Sequence, residues 1–298
     1  MLIREALAQG TVDLKYAEIK TPNLDASLLL AHVLKTTRTK LIASGTDKIS
    51  AKNCAAFCEL IERRAAGECV AYLIGKKEFR GLEFEVNNSV LVPRPDTETL
   101  VEAVIEEFLP RTFTNHHEQK NKIKILDLCT GSGAVAIALK NEIPELEIHA
   151  TDISPDALEV AKTNAKRLLP NKTIHFHLGD LYNALPQKSS TVSQCELFSL
   201  IISNPPYIPS AQIETLSAEV QNEPRIALDG GKSGLDLIKR IIDSAPNHLV
   251  NGGFLLLEAN PRQMDEVNNL LAKKGFNGIK SYKDLSGSFR VTGGRFET

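Results

Sequence analysis

Lys122 to Leu128 reads as a short apolar strand, Thr130-Gly131-Ser132-Gly133 as the turn that leaves it, and Ala134, Val135, Ile137, Ala138 and Leu139 as the inward face of a following helix. Strand, glycine turn and helix in that order open a βαβ unit, and parallel strands built this way are covered by helices on both faces. The next elements keep the pattern. Leu146 to Ala150 forms a strand that ends at Thr151-Asp152, and Ser154-Pro155 then starts a helix in the preferred N-cap and N1 arrangement. Ile174 to Leu178 forms a third strand and runs into Gly179-Asp180-Leu181. Leu197 to Ile202 is a fourth, apolar enough to be buried on both faces, and its exit is Ser203-Asn204-Pro205-Pro206-Tyr207. The succession indicates an α/β chain with a doubly wound, mostly parallel sheet. Ligands bind such sheets beyond the carboxyl ends of the strands, and that edge is where the glycine turn, Asp152, Asp180 and the Asn-Pro-Pro-Tyr turn fall.

Each of these groups suits a particular contact. Glycines let backbone approach a ligand closely, and the first turn of a helix offers N–H groups. An acid at the end of the second strand, about 20 residues beyond the glycine turn, accepts hydrogen bonds from ribose hydroxyls. These features leave the cofactor open: Gly131-Ser132-Gly133-Ala134-Val135-Ala136 also fits the dinucleotide pattern, so a nicotinamide cofactor is as compatible with this half as a methyl-donor nucleoside. Asp180 is placed to meet an adenine amino group or, alternatively, to cap the turn after it. The Asn-Pro-Pro-Tyr turn is more informative. A planar amide or aromatic amine is a poor nucleophile because its lone pair is delocalised, and two acceptors gripping its N–H groups favour the form in which that pair is available. The Asn204 side-chain oxygen and the Pro205 carbonyl are candidates for those acceptors, and Tyr207 for a ring that stacks on the planar group and tolerates passing positive charge.

The flanking sequence adds two regions. Met1 to about Gly67 reads as helical, with Asn23 or Asp25 capping a helix that carries Leu28, Leu29, Ala31, His32 and Leu34. Ser50 caps a second helix, with Ala55, Phe57, Leu60 and Ile61 inward. Glu78 to Val86 alternates as a hairpin, with Gly81 as a turn signal, and is expected to connect two domains. Leu91-Val92-Pro93-Arg94-Pro95-Asp96-Thr97-Glu98 is a stiff entry to a helix, with Asp96 or Thr97 as its cap and Arg94 either a surface charge or a group lining the cleft. After Tyr207 some 25 residues, to Ser233, lack periodicity; loops of that length are usually functional or disordered. A strand (Gly253 to Glu258), a helix (Met264 to Lys273) and a final pair of strands complete the sheet.

Composition weighs against some partners without excluding a nucleic-acid substrate. A net charge of −2 provides no basic field for a phosphate backbone. No apolar stretch approaches the roughly 20 residues of a membrane helix, and the N-terminus lacks the apolar core of a signal peptide. Five cysteines, an odd number at irregular spacing, point to a reducing, cytoplasmic setting, with Cys54, Cys58 and Cys69 expected as core residues and no metal set. His116-His117 falls in a polar, solvated loop.

Taken together, Tyr72-Leu73-Ile74-Gly75, Val92 to Glu98, Asp127 to Gly133, Asp152 with Ser154 to Leu158, Asn204 to Tyr207, Glu223-Pro224-Arg225 and Ala227 to Gly231 closely resemble the HemK/PrmC family of protein-(glutamine) methyltransferases. Asn-Pro-Pro-Tyr alone is shared with adenine-amino methyltransferases; the Pro-Arg-Pro-Asp-Thr-Glu and Glu-Pro-Arg segments are much more specific. The resemblance implies a Rossmann-like class I S-adenosylmethionine-dependent methyltransferase sheet of seven strands, a small N-terminal helical domain and a hairpin connector. The domains expected are a helical domain over 1–75, the connector over 76–95 and the methyltransferase domain over 96–298; because a glutamine on a large folded partner needs surface beyond the sheet to be positioned, 1–75 is expected to be the substrate-docking domain. The resemblance further implies that Cys129, Thr130, Gly131, Ser132 and Gly133 wrap the methionine end of S-adenosylmethionine, that Asp152 holds its ribose, that Asp180 and Leu181 border its adenine, and that Asn204 also lies against the cofactor. Asn204, Pro205, Pro206 and Tyr207, with Arg94, would bind the glutamine of the Gly-Gly-Gln loop in class I peptide chain release factors. Within the pattern, Cys129 stands where the family usually has glycine, Ser199 where an acid is common, and Leu181 where some members carry tryptophan. Two other activities fit parts of the sequence. One is adenine-N6 methylation of DNA or RNA, against which the balanced charge stands; the other is a nicotinamide-dependent dehydrogenase, which leaves Asn204 to Tyr207 unexplained. A lapsed nucleoside-binding scaffold is a non-enzymatic third, opposed by the intact Asn204 motif.

Overall fold

The structure, a computed structural model, describes residues 1–112, 123–186 and 197–297. His116-His117 and Cys195 lie outside the described residues. The chain divides into two compact units, one of residues Met1–Lys76 with Leu216–Asn222 and one of Lys77–Thr215 with Glu223–Thr298.

The first unit holds α1 (Ile3–Tyr16), α2 (Pro22–Val33), α3 (Arg38–Ala43), α4 (Ala51–Ala65) and α5 (Val70–Ile74), packed around Leu14, Leu29, Leu30, Phe57 and Ile61. The helix α2 begins earlier than expected. Pro22 takes its first position with Thr21 as N-cap, because a fixed φ and a missing N–H suit that place. Asp25 is therefore inside the helix, buried, and paired with Arg64 at 2.8 Å. Ser50 does cap α4, accepting from the Asn53 N–H at 3.2 Å, but Ala55 is exposed rather than inward. Of the cysteines expected in the core, Cys69 is buried, Cys54 is half-buried and Cys58 is exposed. The segment Leu216–Asn222, which sequence reading placed in the second domain, groups with these helices. Arg64 reaches Glu219 at 2.9 Å, and the Asn222 amide donates to the Gly67 carbonyl at 2.9 Å.

The hairpin strands β1 (Lys76–Phe79), whose first residue ends the Met1–Lys76 segment of the first unit, and β2 (Leu82–Glu85) follow. Their two-residue turn, Arg80-Gly81, has φ of +48° and +72°, the backbone twist that matches paired strands. A short 3₁₀ turn, Pro95–Thr97, leads into α6 (Glu98–Thr112). Asp96 pairs with Arg290 at 2.8 Å, and Thr97, the residue directly before Glu98, is buried. The large sheet comprises β3 (Lys124–Leu128), β4 (Glu147–Asp152), β5 (Ile174–Leu178), β6 (Phe198–Ser203), β7 (Leu249–Glu258), β8 (Phe276–Lys283) and β9 (Phe289–Phe296). Their spatial order is β5-β4-β3-β6-β7-β9-β8. The first five are parallel and β9 is antiparallel to both its neighbours. This is a seven-stranded, mostly parallel class I methyltransferase sheet. A six-stranded all-parallel dinucleotide fold lacks the antiparallel insertion of β9.

The central strands carry Leu126, Leu128, Ile201, Leu255 and Leu257, none of them exposed. Burial of each such side chain contributes about 1.5–3 kcal/mol, so the register is fixed, and a slip of one residue would turn the whole set to the other face. Register decides what meets at the carboxyl edge. Leu128 pairs with Thr151 and with Ser203, and Ser203 pairs with Leu257. The next residues, Asp152, Cys129, Asn204 and Glu258, therefore end level on four adjacent strands. Strand order reverses between β3 and β6, which opens the crevice where such sheets bind ligands.

Candidate active site

A cavity of about 540 Å³ lies in that crevice. Among the residues lining it are Arg94, Cys129 to Ser132, Asp152, Asp180, Leu181, Asn204 and Pro206. Ten of the sequence-predicted site residues thus meet at one place, while Gly133, Pro205 and Tyr207 are outside the lining.

The turn after β3 is built for close approach. Gly131 has φ +56° and a Cβ there would meet nothing within 4 Å, whereas a Cβ on Gly133, at φ +80°, would come within 2.9 Å of Ile137 and 3.2 Å of Ala161. Gly131 leaves open space over the turn, and Gly133 lets α7 (Ala134–Glu142) pack against α8 (Pro155–Leu168). Cys129 occupies the left-handed region at φ +60°, a conformation that costs a side-chain-bearing residue roughly 1–2 kcal/mol and that accounts for glycine suiting this place. Its thiol is held neutral, pushed well up by burial and by the nearby Asp152 carboxylate.

Asp152 joins the two turns. Its carboxylate accepts from the Gly131 N–H at 2.8 Å and from the Ser154 N–H at 2.9 Å. Burial raises its pKa, opposed by those backbone donors. Beneath it, Asp127 accepts from the Thr130 hydroxyl at 2.7 Å. Burial pushes the Asp127 carboxyl up to about 7. Asp180 is paired with Arg240 of the helix Asp236–Ser244, and the adjoining Leu181, at φ +51°, is buried in the core beneath. An open glycine turn, backbone N–H groups at a helix start and acids at two strand ends fit a nucleoside with a charged amino-acid tail.

On the other side of the crevice, Asn204 donates from Nδ2 to Thr97 Oγ1 at 3.1 Å. Among the described residues its Oδ1 has no protein donor and remains an acceptor. Tyr207 packs against the sheet core, and its hydroxyl donates to Glu258 Oε1 at 3.3 Å; burial beside that carboxyl raises the phenol's pKa. Pro205 is buried in the turn. The region that lacked periodicity is structured around this turn. Ile208 and Asp229 form a bridge, and the Gly230 N–H donates to the Ile208 carbonyl at 2.9 Å. A Cβ on Gly230 would sit 2.8 Å from the Pro206 oxygen and from the Tyr207 Cα, so the Asp229-Gly230-Gly231 run braces the Asn-Pro-Pro-Tyr backbone.

Arg94 lines the cavity and also pairs with Glu223, whose side chain is completely buried and which accepts from the Val92 N–H at 3.3 Å. The arginine thus ties the Pro-Arg-Pro segment to Glu223-Pro224-Arg225. Arg94→Ala is expected to lower unfolding stability by about 1.5–3 kcal/mol, the range for hydrogen bonds to charged groups, read as a reduced urea midpoint at unchanged slope. A midpoint equal to wild type would leave Arg94 with a cavity role alone.

Sequence reasoning missed Thr97 as an Asn204 partner, Glu223 as the Arg94 partner, and Glu258. The last had a signal: it is an acid at the carboxyl end of an apolar strand, the feature that singled out Asp152 and Asp180.

Comparison with known proteins agrees with this geometry. Residues 5–75 match the PrmC N-terminal domain and residues 107–221 the methyltransferase small domain. The chain is 39% identical over 272 residues to a release factor glutamine methyltransferase of Coxiella burnetii, covering 91% of each chain. It is 37% identical over 294 residues to the Escherichia coli protein of the same name, covering 99% of this chain and 97% of that one. Solved structures share the fold: a Pyrococcus furiosus methyltransferase superposes with a TM-score of 0.52 at 19% identity, covering 80% of this chain and 99% of that one. The hMettl16 catalytic domain, solved with an RNA hairpin, gives 0.54 at 14% identity, with 80% and 83% covered. With relatives this similar over nearly its full length, the chain belongs to the release factor glutamine methyltransferase family.

Proposed function

We propose that this enzyme transfers a methyl group from S-adenosylmethionine to the side-chain amide nitrogen (N5) of the glutamine in the Gly-Gly-Gln motif of class I peptide chain release factors. The observation that carries the reading is Asn204: its amide N–H side is tied to Thr97 and its oxygen is left as an acceptor, at the crevice shared with the glycine turn. S-adenosylmethionine, when bound, supplies a methyl made electrophilic by its sulfonium. Cys129 to Gly133 would hold its methionine end, Asp152 its ribose, and Asp180 with Leu181 its adenine, while Asn204 borders it.

The chain's own contribution is placement. Asn204 Oδ1 and the Pro205 carbonyl accept the two N–H groups of the glutamine amide, which leaves the nitrogen lone pair directed away from both. Pro206 adds apolar contact in the cavity. Tyr207, anchored by its hydroxyl to Glu258, keeps its ring fixed beside the turn. Alignment of this kind lowers a displacement barrier without a strong base. Mass spectrometry of release factor incubated with enzyme and donor tests the reading: the mass of one methyl group should appear on the Gly-Gly-Gln glutamine, and its absence there would overturn the assignment.

The family's partner is a translation factor, so the enzyme is assigned to the cytoplasm. No helix among the described residues is long and apolar enough to cross a membrane. Nucleic acid is not assigned as a direct partner. The N-terminal helices are assigned to docking the release factor, with the sheet unit carrying the transfer. Tyr16 and Ile42 are 86% and 72% exposed on the helical unit, as apolar contacts for a protein partner would be. Tyr16→Ala with Ile42→Ser is expected to raise KM for intact release factor several-fold at unchanged kcat. Unchanged KM would remove these two residues from the docking surface.

A further inference from the structure

Glu258 is 1% exposed and takes no part in holding donor or glutamine in the reaction as proposed. It ends β7 level with Asn204 on β6, as the Ser203–Leu257 pairing requires. Its Oε1 accepts from the Tyr207 hydroxyl at 3.3 Å, its Oε2 is buried with no hydrogen-bond partner among the described residues, and the Thr97 hydroxyl is a neighbour that holds its pKa down. Thr97 Oγ1 accepts in turn from Asn204 Nδ2. The direction of these bonds matters more than their number. A hydroxyl has one hydrogen, so a Thr97 that donates to Glu258 can only accept from Asn204. The two ends of an asparagine amide are nearly the same size, so packing does not choose between them; the partner of the amide does. With its NH₂ facing Thr97, Asn204 is left to present oxygen.

We propose that Glu258 is a positioning residue which, through the Thr97 hydroxyl, fixes Asn204 with its carbonyl oxygen toward the substrate amide, and holds the Tyr207 ring by the same carboxylate. The inference rests on the reading of Asn204 as the acceptor for that amide. An ionised carboxylate is an acceptor only and imposes this polarity; a neutral carboxyl or a carboxamide carries a donor of its own. A donor toward Thr97 turns the hydroxyl's hydrogen to Asn204, which then offers NH₂ to a substrate that also offers NH₂.

The surroundings keep this carboxyl near its switching point. Burial pushes it up to about 7, opposed by the Thr97 and Tyr207 hydrogen bonds and by Arg290, with Asp96 adding to the rise. Arg290 comes from β9, where it is shared with Asp96 and Asp284 at 2.8 and 2.9 Å. Asp96 comes from the turn before α6 and Tyr207 from the turn after β6. With donor saturating, kcat should therefore fall as pH drops through about 7, because the protonated form no longer dictates the direction of the chain.

The test compares Glu258→Gln, Thr97→Val and Thr97→Ser with wild type and Asn204→Ala, using intact release factor, saturating S-adenosylmethionine and calorimetric titration with S-adenosylhomocysteine. Glu258→Gln and Thr97→Val should lower kcat roughly 10- to 100-fold, below the loss of a whole oriented contact, with the S-adenosylhomocysteine Kd within about twofold of wild type. Thr97→Ser keeps the hydroxyl and should stay within about threefold. The double variant Thr97→Val/Glu258→Gln should be no slower than the slower single, since both break one chain, and Glu258→Gln should lose the acid limb of the pH profile. If Glu258→Gln does not fold, the two Thr97 variants carry the test. Full kcat in Thr97→Val beside an inactive Asn204→Ala overturns the positioning role alone; full activity in Asn204→Ala overturns the reading it rests on as well. A kcat loss matched by an equal loss of S-adenosylhomocysteine affinity makes Glu258 structural and also overturns it.

Discussion

Asn204→Ala should lower kcat on release factor by 100-fold or more while leaving the fold and S-adenosylhomocysteine binding close to wild type. Removal of one oriented polar contact to a reacting group typically costs about 10²–10³ in turnover. The substitution leaves little unpaired in its place: Thr97 loses one donor but keeps its own hydrogen free to turn to Glu258 beside it, and Asn204 is only partly buried. The expected loss lies in kcat rather than KM, because docking of a folded partner depends on surface elsewhere, whereas Asn204 acts on one amide. Asn204→Asp makes a stricter comparison. It retains an acceptor but gives up the donor to Thr97, so it should fall between wild type and alanine. Turnover of the alanine variant within about threefold of wild type would remove Asn204 from the reaction.

The sheet was legible because its cues are local. Ile174–Leu178 and Met264–Lys273 have the bounds that apolar runs and periodicity gave them, and Ser154-Pro155 announced its helix by side-chain chemistry that acts within one turn. The edge residues were legible for a second reason: parallel strands deliver their exits to one side, so the residues at those exits define the crevice. Pairings across long sequence separations escaped. Glu223 lies 129 residues from Arg94, and Asn204 lies 107 from Thr97. Neither separation has a periodic signal, and each is decided by which side chains the folded sheet brings together. The same holds for Leu216–Asn222, whose membership of the helical unit depends on Arg64 and Gly67. Tyr207 shows the limit of motif reading from the other direction. Its ring was assigned a stacking role from residue type, while the destination of its hydroxyl depended on β7 lying beside β6.

Asp152→Ala should weaken S-adenosylhomocysteine binding about 10- to 150-fold, the equivalent of the 1.5–3 kcal/mol that hydrogen bonds to a charged acceptor contribute. The geometry gives this residue two tasks. Its carboxylate already accepts from the Gly131 and Ser154 N–H groups, so alanine loosens the turns after β3 and β4 as well as removing the acceptor for ribose hydroxyls. Asp152→Asn distinguishes the contributions. It preserves size and one acceptor oxygen, yet sets an NH₂ against one of the two backbone donors, so its Kd should lie between those of wild type and alanine. Ionisation supplies an independent check. Burial holds the Asp152 carboxyl above the ordinary aspartate range, and its acceptor strength belongs to the charged form. Binding is therefore full at pH above the raised pKa and weakens as pH falls through it, beginning higher than the value of about 3.9 for an unperturbed aspartate. Calorimetric titration of the three proteins between neutral and mildly acidic pH reads both effects. An alanine variant with wild-type affinity at neutral pH would place the ribose elsewhere in the crevice, and would leave Asp152 as the brace between the two turns.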